Sequence, residues 1–72
     1  MLMFNFSKNM GILMEAECLT QAELAEAIGV SQSIISAWLL GQREPSGKNL
    51  CLLADYFNVT IDQLVGREKL FN

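Results

Sequence analysis

Apolar residues recur at helical spacing in five short stretches, and polar punctuation separates each stretch from the next. Phe6, Met10, Leu13 and Met14 stand at i, i+4, i+7 and i+8, which predicts a core-facing helix over about residues 6–17. Leu24, Ala25 and Ile28 make a second stripe, and Ile35, Trp38 and Leu39 a third. Leu50, Leu53, Ala54 and Phe57 predict a fourth helix, with Asp55 and Tyr56 toward its flanks; Ile61, Leu64 and Val65 predict a short fifth. The starts are marked by side chains that accept from free helix amides. Thr20 with Glu23 and Thr60 with Gln63 have capping-box spacing, while Ser31 and Ser46 are placed as simple caps. Gly29, Asn58 and Gly66 follow the stripes where a left-handed residue ends a helix. Pro45 holds Glu44 extended, so residues 42–46 read as a loop. Gly11 inside the first stripe costs that helix about 1 kcal/mol relative to alanine and hints at a close approach by a neighbour.

Only a few residues separate the second and third stripes, so these helices must cross steeply, with Ala25 small where the third helix passes over it. That is the requirement of a helix-turn-helix, whose second helix can enter the DNA major groove. In such a placement the N-terminal residues opposite Ile35 and Trp38 reach base edges: Gln32 and Ser33, with Ala37 one turn further on. Glutamine can pair bidentately with adenine, serine can donate or accept, and a methyl packs on thymine. Without the motif, the same residues would read as an ordinary solvated helix face. Ser36, Arg43, Lys48 and Asn49 complete the set as phosphate contacts. Ile34 and Leu40 lie near the exposed side, where Ile34 could meet a thymine methyl and Leu40 is expected to cover core or interface surface.

The run LTQAELAEAIGVSQSIISAW at 19–38, followed by GQREPS at 41–46 and LADYFNVTIDQLVG at 53–66, resembles the Cro/phage-repressor (Xre-type) family of DNA-binding domains. The resemblance covers about residues 6–66. It implies an all-α, compact five-helix, lambda-repressor-like domain at 6–66, flanked by a lead-in at 1–5 and a tail at 67–72. It also implies sequence-specific binding to the major groove of double-stranded DNA, usually as a homodimer. Gln21 matches the glutamine that binds a backbone phosphate in that family. Family members often carry an arginine where Met14 stands and a glutamate where Leu39 stands. Here both are apolar. Exchanging a whole ion pair for fitted hydrophobes is often neutral, whereas losing one partner strands a charge, so Met14 and Leu39 are expected to touch.

Composition limits the alternatives. Seventy-two residues, 51% of them hydrophobic, suit one domain and leave little room for a cofactor-bearing active site. With no histidine, no CxxC pair, no nucleophile beside a base and no phosphate-cradling glycine loop, the chain does not read as an enzyme, and it implies no metal, cofactor or small-molecule ligand. Cys18 and Cys51 are expected to be buried, reduced thiols. No apolar run is long enough to cross a bilayer and the N-terminus lacks a secretory pattern, which makes the cytoplasm the expectation, while the family resemblance implies a bacterial or phage-encoded protein. Leu2, Met3 and Phe4 at one end are expected to pack on the core or a second protomer. At the other, Leu70 and Phe71 form an apolar pair on a frayed tail.

Charge is the feature that fits least well. Five basic against eight acidic residues give a net charge of −3, where a nucleic-acid binder is expected to show a basic face. No charged residue occurs from Ala27 through Gln42. The leading expectation is therefore a dimeric repressor that reads a palindromic operator largely through neutral groups. The rival is a helix-turn-helix protein-interaction module, such as an antirepressor or antitoxin-like partner, with weak or no DNA binding.

Overall fold

The computed structural model describes residues 5–70, and the expectations for Leu2, Met3, Phe4 and Phe71 lie outside that range. Among the described residues the chain is all-helical: α1 Phe6–Ala16, α2 Gln21–Ile28, α3 Gln32–Leu39, α4 Gly47–Phe57 and α5 Ile61–Val65. The five stripes form one core, in which Met10, Leu24, Ile35, Leu53 and Leu64, one from each helix, are fully buried. Ala25 is buried where α2 meets α3. Ile61 departs from its stripe and stands 38% exposed, because so short a helix turns only its last residues, Leu64 and Val65, inward.

Local chemistry explains the boundaries. Thr20 Oγ1 accepts from the Glu23 N–H at 3.1 Å while Glu23 Oε1 accepts from the Thr20 N–H at 2.9 Å, and Thr60 with Gln63 repeats the arrangement. Ser31 and Ser46 accept from Ile34 and Asn49. Gly29, Asn58 and Gly66 are all left-handed. The end of α3 is a Schellman motif: Gly41, at φ 74°, donates to Trp38 O at 3.1 Å and Gln42 donates to Ala37 O at 2.9 Å.

Both cysteines are exposed, contrary to the expectation of burial. Cys18 occupies the left-handed position that ends α1, at φ 53°, with its N–H bonded to Glu15 O and that of Leu19 to Met14 O. A residue there leaves the helix path and points outward. Cys51 lies on the outer side of α4, off the stripe of Leu53, Ala54 and Phe57.

Asn9 is buried on the core face of α1, and its amide donates to Gln63 O at 3.0 Å and to Leu64 O at 3.4 Å. It thereby adds a donor to two carbonyls in the last turn of α5, one of which, Gln63 O, also accepts from the Gly66 N–H at 3.3 Å. Asn5, counted with the lead-in, instead donates from its N–H to Val65 O at 3.3 Å. A Cβ on Gly66 would come within 2.9 Å of the Asn5 Cβ, and with φ 93° the position suits glycine on two counts. Residues 67–70 are tied down rather than frayed. Arg67 and Glu68 donate to Asp62 O at 2.8 and 3.1 Å, Gln63 Nε2 donates to Lys69 O at 3.1 Å, and Leu70 packs against the core.

Met14 is buried, and Leu39 packs against the cluster that contains it. The close approach at Gly11 is Leu39 itself, whose Cδ2 lies 3.8 Å from where a Cβ would stand. That is ordinary contact, so Gly11→Ala is expected to stabilise the domain by about 0.5 to 1 kcal/mol through reduced backbone freedom in the unfolded chain. Urea melts of the two proteins measure it, and a loss of stability would show that Leu39 cannot accommodate a methyl group.

Candidate nucleic-acid interface

The N-terminus of α2 and one side of α3 enclose an open depression of about 380 Å³ lined by Gln21, Gln32, Ser33, Ser36, Ala37 and Gln42. Its α3 members stand at i, i+1, i+4 and i+5, a face turned away from the buried Ile35 and Trp38. The packing of α3 fixes this orientation. Trp38 is 2% exposed and meets Phe6 edge-on, with ring centroids 6.3 Å apart and planes at 76°. The Ser7 hydroxyl donates to Trp38 O, pinning the end of α3 to α1.

Five of the residues singled out in the sequence, Gln21, Gln32, Ser33, Ser36 and Ala37, thus share one surface. Arg43, Lys48 and Asn49 do not line it. Arg43 is exposed on the loop after α3, Lys48 is exposed in the first turn of α4, and Asn49 is half-buried with its N–H held by Ser46 Oγ. Gln42 lines the depression and was not among the expected contacts, because it lies beyond the last turn of α3, where helical periodicity assigns no face. Its signal was the preceding glycine, which allows the Schellman turn that brings it back. Ile34 is half-buried and packs against the core instead of facing outward. Leu40 covers no core: it is 67% exposed, since it caps α3 on the side away from the helix bundle.

The walls of the depression carry amide and hydroxyl groups and no formal charge. The first amides of α2 and α3 have no acceptor within their own helices, which gives each N-terminus a partial positive character. At α2 that character is partly answered by Glu23. Its carboxylate is held below the ordinary value of 4.5 by the Thr20 backbone N–H and, second, by the Thr20 side chain. A depressed folded value means that the capping contribution is present above the unfolded value and is lost as pH falls through the folded one. The NMR titration of the Glu23 carboxyl is therefore expected to have its midpoint below that of a free glutamate, and Thr20→Ala, which removes the hydroxyl but keeps the backbone N–H, should return it only part of the way toward the free value. An unshifted midpoint in the parent protein would contradict the capping box.

Helices α2 and α3 in this arrangement, with an exposed neutral face on the second, define a helix-turn-helix domain. The helix-turn-helix family model matches residues 13–64, and the chain belongs to this Xre-type family. It is 37% identical over 65 residues to the HTH-type transcriptional activator BcrR of Enterococcus faecalis, covering 90% of this chain and 32% of BcrR. With the cryptic phage CTXphi transcriptional repressor RstR of Vibrio cholerae it shares 38% identity over 48 residues, covering 67% of this chain and 43% of that one. A crystal structure of a transcriptional regulator from Listeria innocua superposes with a TM-score of 0.83 at 29% identity, covering 93% of this chain and 64% of the other. The chain thus spans a third to two thirds of the length of these relatives. Among the described residues no helix is long and apolar enough to cross a membrane.

Proposed function

We propose that this domain is a non-enzymatic, sequence-specific DNA-binding regulator that lays α3 in the major groove and occupies a palindromic operator as a homodimer. The observation that carries the reading is the shared depression, where Gln32, Ser33 and Ala37 on α3 stand beside Gln21 on α2 with no charge among them. Gln32 and Ser33 are exposed and offer hydrogen bonds to base edges, and Ala37 offers a methyl. Gln21 and Ser36 meet the phosphates on either side, and the exposed Arg43 and Lys48 add charge from the loop and α4, with Asn49 as a neutral helper. Occupancy of an operator suffices for repression, the regulatory outcome we assign.

Selection of duplexes from a random pool at two salt concentrations tests the reading, with enrichment of a single palindromic motif as the expected result. With two or three cations engaged per protomer, log affinity against log salt should fall with a slope of about −4 to −5 for a dimer. A slope near −10 would mean that many more phosphates are neutralised than this surface can reach. Net charge of −3 and the exposed Leu40, Leu52, Tyr56 and Ile61 favour the second reading, a protein-interaction module. Absence of any enrichment at low salt would select that reading.

A further inference from the structure

We infer that Gln42 is a further DNA contact, an uncharged hydrogen-bond donor to a backbone phosphate at the rim of the groove; this rests on the DNA-binding reading above. Gln42 lines the same depression as Gln32, Ser33, Ser36 and Ala37, but from the opposite end of α3. A recognition helix lying in the major groove meets base edges through its N-terminal residues, so Gln42, on the same face but beyond the C-terminal end of α3, stands toward the sugar-phosphate wall.

Its backbone is held for the purpose. The Gln42 N–H is bonded to Ala37 O at 2.9 Å and Gly41 to Trp38 O at 3.1 Å, while Trp38 O also accepts from Ser7. Little backbone freedom remains to be lost when the exposed carboxamide meets a ligand. That side chain has two amide protons, which match a phosphate oxygen, and no charge, so the contact releases no counterion. Gln21 at the start of α2 and Gln42 past the end of α3 then grip the duplex from two sides of the reading helix.

Two variants test the assignment by salt-dependent DNA titration and repeated sequence selection. Gln42→Ala is expected to weaken binding about tenfold for every duplex alike, with the selected motif and salt slope unchanged. Gln42→Lys is expected to steepen the slope by about 0.9 per protomer. Both should keep the parent melting temperature, since the side chain is exposed and its backbone bonds remain. A change of preference at one base position in Gln42→Ala would place the residue on a base edge and overturn the phosphate assignment. Unchanged affinity in Gln42→Ala, or an unchanged slope in Gln42→Lys, would remove it from the interface. Failure of the parent protein to bind any duplex would instead reject the DNA-binding reading itself.

Discussion

Trp38→Ala is expected to cost about 3 to 5 kcal/mol, the usual loss when a large aromatic is cut to a methyl in a packed interior. A domain of 72 residues holds on the order of 4 to 11 kcal/mol in total, so this one change removes a large part of its stability. The reason is position as much as size. Trp38 is 2% exposed, meets Phe6 of α1 edge-on and belongs to the helix whose outer face makes the depression. Trp38→Phe keeps a ring against Phe6 and should lose markedly less. Urea unfolding of the three proteins decides the matter; a loss below about 1 kcal/mol for the alanine variant would mean that α3 is not anchored through this ring. Because the ring faces inward, the alanine variant should lose binding together with folded fraction, while the folded part keeps the parent sequence preference.

Gln32→Ala should behave in the opposite way. The side chain is exposed and makes no core contact, so the melting temperature should stay within about two degrees of the parent. Discrimination against a wrong base pair at one operator position should fall by about 1 to 3 kcal/mol, the worth of one bidentate pair. That is a loss of roughly five- to 150-fold in relative affinity at a single position. Ser33→Ala should relax a neighbouring position by less. Competition titrations with single-base operator variants read both effects. If Gln32→Ala and Ser33→Ala together leave the sequence preference intact, the outer face of α3 is not the reading surface.

The caps and stripes were legible because they are local. A hydroxyl three residues before a glutamate or glutamine, or a glycine just past an apolar stripe, fixes a helix end whatever the rest of the chain does. The common face of Gln32, Ser33 and Ala37 followed from the same periodicity, and Gln21 followed from the resemblance to the family. Asn9 shows where local reasoning stopped. It shares a register with Phe6 and Leu13 but is polar and does not read as a core position, and its partners, the carbonyls of Gln63 and Leu64, lie more than fifty residues away. Nothing in the side-chain pattern marks a distant carbonyl as an acceptor. The tail failed for a related reason: Arg67 and Glu68 are held through their backbone amides, which any sequence possesses. Cys18 is exposed although its residue type favours burial, because the left-handed end of α1 decides where its thiol points.

The uncharged stretch from Ala27 to Gln42 bears on search kinetics as well as on recognition. A strongly basic face draws a protein onto any duplex and lets it slide toward its target. On a chain of net charge −3, random sequence offers little hold, so arrival would proceed by repeated three-dimensional collisions, at rates nearer about 10⁵ to 10⁶ M⁻¹s⁻¹ than the diffusion limit. Such a protein gives up speed of arrival, and in return little of it is sequestered along the rest of a chromosome.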